Sequence, residues 1–201
     1  MRREELDELH YTVPIATVPS ILKRGILSHE RAKRIPHQSV ANPRIQEIRR
    51  RVMVPGGRRL HEYVNLYFCA RNPMLRWDVG HYPHETLCVL RVGPGVLDLA
   101  GVVITDQNAA STRYARFAPA PHGLEIVDRD MVFAEFWTHP SDQIAEWRHS
   151  SAKCAEVLVP DCVDPRYIFG AYVSCEHART ELQGRAPSLD VTVDPPMFFR
   201  P

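Results

Sequence analysis

The stretch that decides the reading is Asn42–Pro73, NPRIQEIRRRVMVPGGRRLHEYVNLYFCARNP. It opens with the signals of a helix start. Asn42 can accept bonds from first-turn amides, and Pro43 at the first helical position gives up none. The expected helix covers about 42–54. On a wheel of 3.6 residues per turn, Ile45, Ile48 and Val52 share one stripe; Arg49 lies at its edge, Arg50 nearly opposite and Arg51 about a quarter turn away. Arg49 is therefore the arginine placed to lie half-buried beside a cavity, while its neighbours read as solvated charge. VPGGRR then breaks the helix, and HEYVNLYF runs into aromatic and branched residues, which reads as a strand.

Outward from this unit, the chain of 201 residues with 44% hydrophobic and 24% charged composition reads as one domain over 1–201. A chain of this length buries about 70% of its unfolded surface and needs neither metal nor disulfide to fold. Seventeen prolines imply short elements joined by loops. Cys69, Cys88, Cys154, Cys162 and Cys175 are odd in number, lack CxxC spacing and mostly sit in apolar runs. That suits free thiols in a reducing cytoplasm, and no metal site is expected. MRREELDELH is charged, and no later run reaches the ~20 apolar residues of a membrane span. A net charge of +1 does not mark a nucleic-acid binder by itself. Arg49, Arg50, Arg51, Arg58 and Arg59, with Arg71 and Arg76 following, allow a local basic face. No GxGxxG or GxxxxGK[ST] occurs, which disfavours a Rossmann domain and a P-loop NTPase.

Leu9–Val13 reads as a first strand with His10 and Thr12 on one side. Thr17 is placed to cap a short helix that stops at Gly25. Residues 26–42 lack periodicity and read as a loop. A short helix over 73–79, strands at 86–92 and 102–105, helical pieces over 128–151 with Asp128 and Ser141 as caps, a strand at 169–174, a helix over 176–182 and a strand at 191–193 complete the pattern. Between Asp106 and His122 a polar loop interleaves Arg113, Tyr114, Arg116 and Phe117, a mixture able to grip a backbone and stack a splayed base. KCAEVLVP, from Lys153 to Pro160, is a strand in which one carboxylate, Glu156, interrupts an apolar face. On an edge strand Glu156 would guard against aggregation. On a central strand it must line a polar cavity, because an isolated buried carboxylate is too costly.

IQE followed by arginines, VP, a glycine turn, LHEYV, YFC and RNPML, together with TD…ARF, FW followed by HP, and KCAEVLV, resembles the DarT family, toxins that ADP-ribosylate DNA bases using NAD. The resemblance implies an α+β ADP-ribosyltransferase-like fold in which two small packed β-sheets with flanking helices form the NAD cleft. It implies Arg49 and Glu156 as catalytic residues. His10, Tyr11, Thr12, Ser20, Arg49 and Tyr67 would bind NAD, with His10 and Thr12 at the adenosine ribose and Tyr67 near the nicotinamide. The helix over 42–54 would cover the dinucleotide, and a base-presenting region over 106–156 would hold DNA, with Arg71, Met74, Asn108, Arg113, Tyr114 and Arg116 as contacts. The implied substrate is single-stranded DNA, with thymine as the acceptor base and guanine second, and the implied partner is a macrodomain antitoxin, DarG. Two other readings stay open: an ADP-ribosyl or phosphotransferase acting on RNA with the same fold, and a non-enzymatic basic module that binds nucleic acid.

Overall fold

The structure is a computed structural model that describes residues 1–111 and 114–200. Arg113, expected at the DNA, lies outside the described residues. In chain order the strands are β1 (Leu9–Pro14), β2 (Ile26–Leu27), β3 (Met53–Val54), β4 (Arg58–Arg59), β5 (Tyr63–Tyr67), β6 (Leu87–Val92), β7 (Val103–Thr105), β8 (Phe117–Pro119), β9 (Glu156–Pro160), β10 (Cys162–Val163), β11 (Ile168–Val173) and β12 (Asp190–Val193). The α-helices are α1 (Val18–Arg24), α2 (His29–Ala32), α3 (Pro43–Arg49), α4 (Pro73–His81), α5 (Arg129–Phe133), α6 (Gln143–Ala152) and α7 (Glu176–Arg185).

Eight strands form one hydrogen-bonded order, β12-β11-β6-β1-β5-β9-β7-β8, with β2–β10 and β3–β4 as separate two-stranded ladders. The long sheet behaves as two four-stranded halves. β1 pairs β6 along its whole length, whereas β1 and β5 share a single register pair, His10↔Tyr67. Beyond that rung the halves diverge. The two small sheets expected from the resemblance are these halves, continuous at one point.

Period-two alternation sets the faces. Val64 and Leu66 of β5, Cys88, Leu90 and Val92 of β6, and Val157 and Val159 of β9 enter the main core with Val18 and Ile21 of α1 and Ala178 and Leu182 of α7. On the opposite face Leu87 and Val89 pack against Leu75 of α4 and Phe198. There too Leu158 packs with Tyr63, Val52, Val54, Leu60 and Ala109. Gly25 ends α1 at φ 85°, and a Cβ there would strike the Val163 carbonyl and the Cys162 sulfur of β10. Only glycine fits that corner.

Several expected boundaries shift for local reasons. The helix opening at Asn42 is present, with Asn42 Oδ1 accepting from the Arg44 and Ile45 amides at 3.0 and 3.3 Å. It ends at Arg49 rather than near 54, because the Pro55–Gly57 turn folds Met53 and Val54 back onto Arg59 and Arg58, and the Val52 carbonyl takes the Leu60 amide. Its inner face is Ile45, Gln46 and Arg49; Ile48 is exposed. The Thr17 hydroxyl makes no capping bond to α1. Asp128 caps α5 as expected, but α6 is capped by Asp142 rather than Ser141, since the carboxylate accepts the Ala145 amide at 2.9 Å. The 26–42 loop contains β2 and α2.

Candidate active site

The face carrying Tyr63, Asn65 and Tyr67 of β5 and Glu156 of β9 is covered by α3 and its hairpin. β9 is central, paired with β5 on one side and β7 on the other. The edge-strand reading of Glu156 therefore falls. Glu156 is fully buried, and its two oxygens accept from Arg49 Nη1 and Nη2 at 2.9 Å each. Its Oε1 also takes the Ala109 amide at 3.0 Å. The arrangement follows from local sequence: α3 stops with Arg49 as its last, inward-facing residue, and β9 begins at Glu156. Burial alone would depress the Arg49 pKa, but the Glu156 charge and its two bonds outweigh that and raise it. The guanidinium stays charged, held in a fork that matches a carboxylate.

A cleft lined by Arg49 of this pair runs between the sheet halves and under α2 and α3; Glu156 lies behind Arg49 rather than lining the cleft, its charge met by the guanidinium instead of by a polar cavity. The floor is the gap where β1 leaves β5. Tyr11, Thr12, Ser20, Arg49 and Tyr67, the expected NAD contacts, all line it, as does Met74. His10 does not. It lies on the same side of β1 as Thr12, as the period of two requires, but its Nε2 meets Glu8 Oε1 at 3.0 Å, in a group with Arg91 and the Tyr172 hydroxyl. Burial, with the Glu156 charge adding to it, pushes the Tyr67 phenol well above its ordinary range, so Tyr67 is a neutral ring.

The other expected contacts separate into two groups. Asn108 lies beside the pair: its amide donates to the Ser151 carbonyl, its Nδ2 approaches Met74 Sδ at 4.0 Å, and the next residue, Ala109, binds Glu156. Tyr114 stands 76% exposed in the same loop. Arg71 and Arg116 are engaged by the protein itself. Arg71 donates to the carbonyls of Pro196 and Glu135 and stacks on Phe199. Arg116 holds Asp106 at 2.7 Å and the Ile126 carbonyl at 3.2 Å. The basic run is also largely neutralised, with Arg50 and Arg51 sharing Glu47 and Arg58 on Asp161.

A model of the family described as DarT, ssDNA thymidine ADP-ribosyltransferase, matches residues 10–199. The chain belongs to the DarT family. A DNA ADP-ribosyl transferase-DNA ADP-ribosyl glycohydrolase fusion protein of Thermosipho africanus is 36% identical over 202 residues, covering 96% of this chain and 50% of the fusion. This chain thus spans about half of that relative. A DNA ADP-ribosyl transferase of Thermus aquaticus is 29% identical over 162 residues, covering 76% of this chain and 68% of its own. Among solved structures, Thermosipho africanus DarTG in complex with ADP-ribose superposes with a TM-score of 0.84 at 32% identity, over 97% of this chain and 52% of that one. Thermus sp. 2.9 DarT in complex with ADP-ribosylated ssDNA gives 0.78 at 26%, over 96% of each.

Within this DarT fold, three contributors escaped the sequence reading. The Ala109 amide on Glu156 is a backbone group, for which sequence carries no signal. His61, in the LHEYV segment, is buried in the cleft wall; Nε2 lies 3.0 Å from Gln46 Oε1, and burial first, then the charges of its neighbours, push its pKa down to about 4. With Nε2 as donor, its buried, unpaired Nδ1 is an acceptor. Asp78 of α4 also lines the cleft, 6% exposed. It shares the buried side of α4 with Leu75, so the signal was the one that marked Glu156: a carboxylate on an apolar face.

Proposed function

We propose that this chain transfers ADP-ribose from NAD to a thymine base of single-stranded DNA, releasing nicotinamide. The buried Arg49–Glu156 pair at the end of the cleft carries the reading. A bond between ribose and nicotinamide breaks through an oxocarbenium-like state, and a carboxylate held against that ribose stabilises positive charge where it develops. We assign that role to Glu156, which is bonded to the cleft-lining Arg49. Arg49 fixes its orientation and can hand it to the ribose hydroxyls when the dinucleotide enters. Nicotinamide leaves with the bonding pair, and a base nitrogen bonds to the same carbon and loses its proton.

The polar lining of the cleft suits a dinucleotide: Thr12, Ser20, the His61 acceptor and the Arg49 cation. The acceptor base must be unstacked to reach the pair. The Asn108–Ser111 loop, which touches Glu156, with Tyr114 beyond it, is the place to hold one. The named activity of the Thermus relatives and the modified ssDNA bound to one of them support DNA over RNA. The glycohydrolase half of the Thermosipho fusion supports a toxin whose partner, a DarG-like macrodomain, removes the mark.

Mass spectrometry of mixed DNA and RNA oligonucleotides incubated with NAD tests the reading. The expected product is single-stranded DNA heavier by one ADP-ribose, located on thymine. A mark on guanine would correct the base, a mark confined to RNA the polymer, and salt-sensitive binding indifferent to NAD would leave only a nucleic-acid-binding module.

A further inference from the structure

Asp78 has no role in the chemistry described so far, and its surroundings are unusual. Its carboxyl lines the cleft, is almost wholly buried, and makes no hydrogen bond among the described residues. Buried polar groups are ordinarily paired within the protein, so a carboxyl with no protein partner at a cleft is free to bind what enters it. The buried Tyr67 hydroxyl of β5 and the half-buried Tyr11 and Thr12 hydroxyls of β1 line the same cleft, and none makes a side-chain hydrogen bond among the described residues. β-strand alternation places Thr12 and Tyr67 on the side of the sheet against which α4 packs. Three elements, β1, β5 and α4, thus bring polar groups without a protein partner to one cleft.

Their position is defined relative to the reacting centre. Tyr67 is the register partner of Glu156 on β9. Along the order β1-β5-β9-β7, the Thr12, Tyr67 and Asp78 wall lies on one flank of Glu156, and the Asn108–Ser111 loop, reached across β7, lies on the other. An inverting transfer at the ribose carbon sets the leaving and entering bases on opposite sides. A polymer's base enters from the loop flank, so the leaving ring occupies the Asp78 flank.

Resting on the transferase reading above, we infer that Asp78 is the residue that recognises the nicotinamide carboxamide of NAD, through a two-point pairing between carboxyl and amide. A neutral carboxyl offers one O–H donor and one carbonyl acceptor, and a primary amide presents the complement. Burial pushes the Asp78 pKa up to about 8, so at neutral pH it is mostly in the form this pairing needs. The groups facing it are the uncharged Tyr11, Thr12 and Tyr67 hydroxyls, with the mutually neutralised Arg49 and Glu156 beyond Tyr67. Tyr67 then lies beside the ring, as the resemblance implies.

Calorimetric titration in the absence of DNA tests this with two ligands, NAD and ADP-ribose, which lacks the nicotinamide. Asp78→Ala should weaken NAD binding about tenfold or more, the worth of two buried hydrogen bonds, and change ADP-ribose binding by less than about twofold. Asp78→Asn, whose amide also offers one donor and one acceptor, should restore most of the NAD affinity and so controls for folding. Wild type should bind nicotinic acid adenine dinucleotide more weakly than NAD, and Asp78→Ala should narrow that gap. Unchanged NAD affinity in Asp78→Ala, or equal losses for both ligands, overturns the inference while leaving the transferase reading intact. A wild-type protein that binds neither ligand removes both.

Discussion

Arg49 and Glu156, 107 positions apart in the chain, meet through two parallel hydrogen bonds of 2.9 Å with almost no solvent exposure. Such a pair adds little net stability over an apolar substitute, yet breaking it leaves one buried charge alone. Arg49→Ala should therefore cost roughly 3–5 kcal/mol, read from denaturant unfolding, and abolish transfer. Glu156→Gln should remove nearly all transfer while keeping most NAD affinity, since the lost contact belongs to the transition state. Substantial transfer by Glu156→Gln would rule out the role assigned to the carboxylate.

Asp78 should lower stability as pH rises. Its folded pKa, about 8, lies above the ordinary 3.8 of an aspartate. Between those values the folded state binds more protons than the unfolded one, so unfolding free energy falls with pH and levels off above about 8. Asp78→Asn removes the titration. Its melting temperature should exceed that of the parent by several degrees at pH 8, with the gain shrinking towards pH 4. A gain independent of pH would mean that Asp78 is not the titrating group.

Glu8 should act in the opposite sense. Burial opposes its ionisation, but bonds from His10, Arg91 and Tyr172 prevail and hold its pKa down to about 2. A depressed carboxylate contributes stability that is present above its unfolded pKa near 4.5 and is lost as pH falls towards 2. The contribution is roughly 2–3 kcal/mol at neutral pH. Glu8→Gln should lose it at pH 7 and converge with the parent in acid, in paired thermal melts.

Tyr114 has no packing role that its loss would disturb, being 76% exposed. Tyr114→Ala should leave NAD binding and melting temperature unchanged and weaken binding of a thymine-containing single strand by about five- to a hundredfold, the span of one base–aromatic stack. Fluorescence anisotropy at fixed salt measures it. Equal affinities would move the base contact elsewhere in the loop.

The parts of this site visible in the sequence were those with a one-dimensional signature. Asn42 followed by Pro43 fixed the start of α3, and a lone carboxylate in AEVLV fixed Glu156. What stayed hidden depends on partners far along the chain. The end of α3 is decided by a hairpin that claims the Val52 carbonyl, and the apolar stripe that made Ile48 look internal assumed a helix about a turn and a half longer. His10 has the right strand and the right face, but Glu8 and Tyr172, the latter 162 positions later, hold its ring away from the cleft. Arg71 donates to the carbonyls of Glu135 and Pro196, partners 64 and 125 positions away that its own segment does not announce. Asp142 outcompetes Ser141 one residue on, a choice that residue preference alone does not resolve.

The lone His10↔Tyr67 rung has a mechanical meaning. The shared core holds the two leaves of the sheet together from behind, while on the cleft side a single stitch joins their edges. A dinucleotide lying across both leaves acts as a second stitch. Amides of β1 and β5 facing the gap should then exchange hydrogen far more slowly in its presence, while those in the interiors of the two leaves change little.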